Sequence, residues 1–383
     1  MTTRHVAVLT ASRGDYWPLK PLLEGLESDR RFRLSVLAGG IHAGPGGHLP
    51  GLALPAASVT WLSDTQVAGD GPGELDRIVA QFAIGTGAAV EQLRPDLLVV
   101  LGDRFELLGA AAAALLHRVP LVHLNGGELT EGAHDDAIRH AVTKLAHLHL
   151  TAHESYADRV RSLGEEPWRV HTVGEAGLDR LRPEAARFTR EDVGRLLGTE
   201  LHGPVALLTY HPPTMEPAKL AGELDAVLAA VDLCPTVIAT HPGQDPGSRK
   251  VLNRLEQWAR SRAGVVLVPA LGELYPAVLA TADVMIGNSS SGLVEAATFA
   301  LPTVNVGDRQ AGRIRAAVVV DCEGTADAVR IALRRALDPA FRSTLSGCPN
   351  PYGDGRATAR ILDVLAGADL SRLLRKKFAG ARG

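Results

Sequence analysis

The stretch Leu97–Leu124, LLVVLGDRFELLGAAAAALLHRVPLVHL, decides the fold. Leu97–Leu101 is an unbroken apolar run and Gly102-Asp103-Arg104 is a turn. An Ala/Leu-rich helix follows to about His117, and Val119–Leu124 is a second run. Neither run alternates polar with apolar residues, which is the pattern of parallel strands covered on both faces. Upstream, His5–Thr10 (HVAVLT) leads through Ala11-Ser12-Arg13-Gly14-Asp15 into a helix carrying Leu22, Leu23 and Leu26. Glu74–Leu93 sets Leu75, Ile78, Val79, Phe82, Ala89, Val90 and Leu93 at helical spacing, an amphipathic helix for one side of the sheet. The first half therefore predicts a doubly wound α/β domain.

The pattern pauses between about residues 176 and 203, where Arg180–Glu200 is charged and carries no strand-like run. It restarts with Val205–Tyr210, Thr236–Thr240, Val265–Val268, Val284–Gly287 and Thr303–Val306. We expect two Rossmann-like domains, 1–180 and 181–356, with the charged stretch as linker region. The tail Ser371–Arg382 sets five basic residues among Leu373, Leu374 and Phe378, which predicts a terminal amphipathic helix with a solvated basic face.

Composition agrees. At about 150 residues per domain, 383 residues give two to three domains. Hydrophobic residues at 46% and charged residues at 22% exclude a largely disordered chain. Aromatics at only 4% beside 40 glycines favour small residues at helix–sheet seams. A formal net charge of −3 implies no nucleic-acid partner, and no apolar run is long enough to span a membrane. The start MTTRHVAVLT lacks a basic and apolar leader, and the three cysteines, Cys234, Cys322 and Cys348, are far apart with no CxxC pair. A cytoplasmic protein without disulfides is expected.

Ligands of open α/β sheets bind outside the carboxyl ends of the strands, and two such domains in tandem predict a cleft there. The unusual residues of the chain fall on those loops. Arg13 in the first βα loop offers a cation to an anion; the alternative is a plain turn with Asp15 as helix cap. Asp103 follows one strand. Asn125-Gly126-Gly127-Glu128-Leu129-Thr130-Glu131 follows the next, ahead of His134-Asp135-Asp136-Ala137-Ile138-Arg139. Asp135 and Arg139 lie four apart and share a helix face. In the second half, His211 and His241 each precede proline just past a strand. A metal site is disfavoured, since the first half supplies no histidine at matched spacing. Gly287-Asn288-Ser289-Ser290-Ser291-Gly292 opens a helix containing Glu295. These small residues suit a diphosphate, and Glu295 suits a ribose. Arg309 and Arg313 add cations nearby. Neither loop is a GxGxxG or a GxxxxGK[ST] motif, so no dinucleotide cofactor or ATP hydrolysis is expected.

Taken in order, SRGDYWPLKPLL, GDRFELL, GGELTEG, DDAIRHAVTKLAHLH, YHPPT, IGNSSSGLVEA and GDRQAGR resemble the hydrolysing UDP-N-acetylglucosamine 2-epimerases of sialic-acid and legionaminic-acid biosynthesis, over nearly the whole chain. The resemblance implies a glycosyltransferase-B fold, UDP held mainly by the C-terminal domain, and a C-terminal helix (357–383) packed back onto the first domain. It implies no cofactor and a homodimer or homotetramer. The implied reaction converts UDP-N-acetylglucosamine to N-acetylmannosamine and UDP, by anti elimination to a 2-acetamidoglycal and then hydration. Asp103 would be an acid/base and Asp135 a second acid, with Arg139 orienting that acid or the substrate. His211 would stabilise the departing diphosphate, while Arg13, Ser289, Ser290 and Glu295 would hold the nucleotide. Ser291, Gly292, His241, Arg309 and Arg313 complete the expected UDP contacts.

One departure stands out. Many members carry Glu where this chain has Asn125, and an amide cannot relay a proton as a carboxyl does. Glu128 or Glu131 would then take over, or Asn125 would contact a modified sugar. The branch acting on UDP-2,4-diacetamido-2,4,6-trideoxyhexoses varies at this position, which makes that sugar the alternative substrate. Residues Gly39–His48 stand where non-hydrolysing relatives carry an activator loop. A glycosyltransferase on the same scaffold and a non-catalytic nucleotide-sugar binder are the competing classes.

Overall fold

The computed structural model describes residues 3–43, 49, 58–65, 72–131, 133–213, 215–243 and 245–380, apart from the side chains of Arg13 and Pro72. The loop 39–48 lies outside that set beyond residue 43.

The chain forms two compact units. The first comprises Met1–Glu128, Asp135–Asp179 and Tyr352–Gly383, and the second Leu129–His134 and Arg180–Pro351. In the first unit the strands are β1 (Arg4–Thr10), β2 (Phe32–Ala38), β3 (Val59–Trp61), β4 (Leu97–Leu101), β5 (Leu121–Leu124), β6 (Leu148–Thr151) and β7 (Val170–Thr172). They form one parallel sheet in the order β3-β2-β1-β4-β5-β6-β7. The second unit holds β8 (Val205–Thr209), β9 (Thr236–Thr240), β10 (Val265–Val268), β11 (Val284–Gly287), β12 (Thr303–Val306) and β13 (Val319–Cys322). Their order, β10-β9-β8-β11-β12-β13, is again wholly parallel. Both sheets are doubly wound, as the sequence predicts.

Alternate residues of the first sheet serve two cores. Val6, Val8 and Val99 pack with Leu19, Leu22 and Leu26 of the helix Arg13–Ser28 and with Ile361 and Leu365 of the helix Ala357–Gly367. Ala7, Leu9, Leu98 and Val100 pack on the opposite face with Ile78, Phe82, Leu107 and Ala111. Each such aliphatic side chain contributes about 1.5–3 kcal/mol by leaving water. Small residues let the two helices over that second face close up. A Cβ at Gly109 would sit 2.1 Å from the Val79 carbonyl oxygen.

Two local expectations are corrected. The charged stretch folds instead of linking: it forms the helices Leu181–Ala185 and Arg190–Leu197. The latter starts on a capping box between Thr189 and Asp192 and ends at Gly198 in the left-handed region. The tail is helical only at Ala357–Gly367 and Leu370–Leu373, with no helix over residues 374–380. Its charges are not simply solvated. Lys376 pairs with the buried Glu165 at 2.8 Å and donates to the carbonyls of Lys144 and Ala146. The buried Arg169 guanidinium donates to the carbonyls of Leu373, Arg372 and Arg375, taking up acceptors that a longer helix would have used internally.

Candidate functional site

In the first unit, the loops past the carboxyl ends of β1, β4, β5 and β7 carry the acids. Asp15 is the third residue of the helix Arg13–Ser28 and closes a capping box on Ser12, the residue that stands at the cap itself. Its carboxylate accepts from Ala11 N, Ser12 N and Ser12 Oγ at 2.7–2.8 Å, which occupies it structurally. Arg13 opens that helix, and its side chain lies outside the described set.

Asp103 is one residue past the peptide that anchors the β4 turn. The Gly102 carbonyl accepts from His123 Nε2 at 2.7 Å, and His123 Nδ1 lies 3.1 Å from Thr143 Oγ1. Burial pushes His123 down to about 4, so the ring is neutral and donates through Nε2. The Asp103 carboxylate is ion-paired with Arg139, whose side chain is 1% exposed. Arg139 also donates to the Glu128 carbonyl at 3.0 Å and lies 3.5 Å from Asp136. One buried fork thus ties the loops after β4 and β5 to the helix Asp135–Leu145. Asp135 opens that helix, as the spacing predicts.

The Asn125-Gly126-Gly127 turn explains its composition. Asn125 has φ of 62°, a conformation that asparagine tolerates better than most residues. Gly127 has φ of 79°, and a Cβ there would meet the Tyr156 carbonyl oxygen at 2.3 Å. Asn125 N–H donates to the Leu150 carbonyl at 3.0 Å, and its Nδ2 donates to the carboxylate of Glu175. Glu128 is buried. Glu131 is exposed and lies elsewhere: its N–H donates to the Ala311 carbonyl at 3.2 Å, within the second unit.

In the second unit, Asn288 organises the loops past β8 and β11. It is 1% exposed. Its Oδ1 accepts from His211 N at 2.7 Å and its Nδ2 donates to the His211 carbonyl at 2.8 Å. Its own carbonyl accepts from Arg309 at 3.2 Å and from Gln310 at 3.0 Å. The imidazole of His211 accepts from Gly243 N at 3.2 Å through Nδ1, which lies 3.8 Å from Asp245; Arg309 lies 3.6 Å from the same Asp245 oxygen. Ser289 and Ser291 hydroxyls lie 3.1 Å apart at the start of the short helix Ser291–Val294, which includes Gly292; Ser290 is its cap. Glu295 closes that helix. Loss of water around Glu295 raises its carboxyl above the ordinary range, against the pull of Arg180. His241 directly follows β9 with its N–H on the Val268 carbonyl, and Arg313 Nε lies 3.4 Å from Thr130 Oγ1.

The expected residues therefore stand on two sets of loops: Asp103, Asn125, Glu128, Asp135 and Arg139 in the first unit, where Arg139 joins Asp103 to Glu128, and His211, Ser289, Ser291 and Arg309 in the second, where Glu131 and Arg313 associate with each other's loops. Sequence reading missed three members. Asn288 was legible as the one amide in GNSSSG, and Asp245 as the acid four residues past His241. Glu175 follows β7, whose three residues VHT are too short and polar to register as a strand. Among the described residues no three His, Cys, Asp or Glu side chains are grouped as a metal site, and no helix is long and apolar enough to cross a membrane.

Residues 26–366 match the model of the UDP-N-acetylglucosamine 2-epimerase family. The chain belongs to that family. It is 32% identical over 328 residues to a GDP/UDP-N,N'-diacetylbacillosamine 2-epimerase (hydrolyzing) of Campylobacter jejuni, covering 84% of this chain and 85% of the relative. It is 30% identical over 377 residues to a UDP-N,N'-diacetylbacillosamine 2-epimerase (hydrolyzing) of Legionella pneumophila, covering 97% and 98%. A solved structure of the Methanocaldococcus jannaschii UDP-GlcNAc 2-epimerase, in complex with UDP-GlcNAc and UDP, superposes with a TM-score of 0.78 at 14% identity, covering 95% of this chain and all of that one. The fold of that structure is thus the fold of this chain, which is an enzyme of the UDP-sugar 2-epimerase family.

Proposed function

We propose that the protein is a hydrolysing 2-epimerase of UDP-2-acetamido sugars. A carboxylate at Asp103 takes the C2 proton, the C–H pair becomes the C1–C2 double bond, and the C1–O pair leaves with UDP. Water then adds across the 2-acetamidoglycal: its oxygen bonds C1 and a proton reaches C2 from the other face, inverting that centre. The observation that carries the reading is the Arg139–Asp103 pair: a buried guanidinium fixes the Asp103 carboxyl past the end of β4, where a base is needed. Asp135, at the start of the same helix as Arg139, is the second acid of the reading, with Glu128, whose carbonyl accepts from Arg139, as the further candidate. His211, Ser289, Ser290, Glu295, Arg13 and Arg309 receive the nucleotide. Donors aimed at the departing diphosphate stabilise charge that grows in the transition state.

Of the two sugars left open by the sequence, the reading takes the UDP-2,4-diacetamido-2,4,6-trideoxyhexose as the preferred substrate and UDP-N-acetylglucosamine as the weaker one. The names of the Campylobacter and Legionella relatives support this, as does an amide at position 125 where a polar sugar substituent needs a donor or acceptor. A cytoplasmic location and a homodimer or homotetramer belong to the same reading. The test is UDP release from each donor without acceptor: the diacetamido sugar should give the higher kcat/KM, and dependence on an added acceptor would make the protein a transferase instead.

A further inference from the structure

Inverting C2 requires one group to remove a proton and another to return one on the opposite face. Asp103 fills the first role, and position 125 holds an amide. The sheet order places β5 two strands from β7, roughly 10 Å at the usual spacing. Glu175, three residues past the end of β7, spans that gap, because its carboxylate reaches the Asn125 amide across the end of β6. Its other oxygen accepts from Gly177 N at 3.3 Å, and its own N–H donates to the Tyr352 carbonyl at 2.8 Å. Glu175 is 5% exposed, so this carboxyl is held in one place by backbone and amide donors.

We infer that Glu175 is a catalytic acid/base of this enzyme, standing in for a carboxyl at position 125, with Asn125 as the side chain that positions it. The inference rests on the 2-epimerase reading above. A carboxyl oxygen that accepts from the Asn125 amide lies one strand from the β4 end that carries Asp103, at the same edge of the sheet. Glu175 accepts from Asn125 and Gly177, and Asp103 from Arg139, so two carboxyls are held on separate loops past the carboxyl ends of the strands. In hydration, protonated Glu175 gives its proton to C2, the double-bond pair forms the new C2–H bond, and the water oxygen bonds C1. The proton that water loses returns to the Glu175 carboxylate, and the proton held by Asp103 passes to solvent. The balance is one proton released with UDP per turnover.

The test uses the full chain with UDP-N-acetylglucosamine and UDP-N,N'-diacetylbacillosamine, reading UDP release and sugar products by NMR, with UDP affinity by calorimetry. Glu175→Gln should bind UDP as wild type and still release it from the sugar, but accumulate the 2-acetamidoglycal, with free epimerised sugar formed at least 100-fold more slowly. Glu175→Asp should slow hydration at least tenfold relative to elimination. Asn125→Glu in the E175Q background should restore at least tenfold of the lost hydration. A product mixture and rate like wild type in E175Q and E175D would overturn the inference. So would a parallel loss of elimination, hydration and UDP affinity in both, the signature of a packing role. An inactive wild-type protein overturns the parent reading as well; an active one with unaffected variants overturns this inference alone.

Discussion

Arg139 and Asp103, 36 residues apart in the chain, are joined by a buried ion pair that closes the carboxyl edge of the first sheet. The same guanidinium holds the Glu128 carbonyl. A buried side chain thus holds the proposed base in position. Asp103→Asn keeps the shape and removes the base, so kcat should fall at least 100-fold with UDP affinity within about threefold of wild type. Arg139→Met takes the guanidinium from a part-buried carboxylate and should cost about 3–5 kcal/mol of stability as well as turnover. Steady-state kinetics and urea denaturation check both; an active Asp103→Asn variant would remove Asp103 from the mechanism.

Asn288 predicts a different phenotype. Its amide makes a reciprocal pair with the His211 backbone, and its carbonyl takes Arg309 and Gln310. Asn288→Ala removes the support of the loop that carries His211 and strands buried donors and acceptors, at about 1–3 kcal/mol. UDP affinity should drop at least tenfold, whereas Ser290→Ala, a single hydroxyl, should cost less. Calorimetric titration with UDP compares the two; equal affinities would show that the network has no bearing on the nucleotide.

How much of this was readable beforehand follows from the residues. Long apolar runs such as LLVVL and VALLT announce strands because both faces are buried, and β1, β4, β8, β9, β10, β11 and β12 fall where those runs stand. The strands β6 (LHLT) and β7 (VHT) are short and carry histidines, which only tertiary burial makes compatible with a sheet interior. Asp103, Arg139 and His211 stood out by place and type. Their partners did not: Arg139 was expected to orient Asp135 or contact the substrate, and its pairing with Asp103, from a loop 36 residues away, is one that spacing along a helix cannot disclose.

Buried histidines in and beside that sheet make stability pH-dependent. Burial pushes His123 and His147 each down to about 4, from 6.5 in an unfolded chain. Between those values the unfolded chain binds protons at these positions that the folded chain does not. Their contribution is therefore complete above pH 6.5 and is lost as the pH falls toward 4, about 2 kcal/mol each by pH 5. Urea midpoints at pH 7 and 5 measure it. His147→Gln, which keeps an acceptor for Leu121 N, should lessen the pH 5 penalty; an unchanged penalty would contradict the assignment.

The tail should act as a structural strap. Burial alone would raise Glu165, but hydrogen bonds from His149, Lys144 and Lys376 hold it down at about 2. Ending the chain after Gly367 removes Lys376 and the carbonyls on Arg169, so buried charges lose partners at about 3–5 kcal/mol. Thermal unfolding of the truncated and full chains should differ by several degrees; equal midpoints would show that the strap carries no stability.

The central claim is hydrolytic 2-epimerisation, and the product formed in heavy water tests it most directly. Incubated with UDP-N,N'-diacetylbacillosamine or UDP-N-acetylglucosamine and no acceptor, the protein should release UDP and a free sugar with inverted C2 that carries one deuterium there. A released sugar that keeps its C2 configuration and its C2 proton would contradict it.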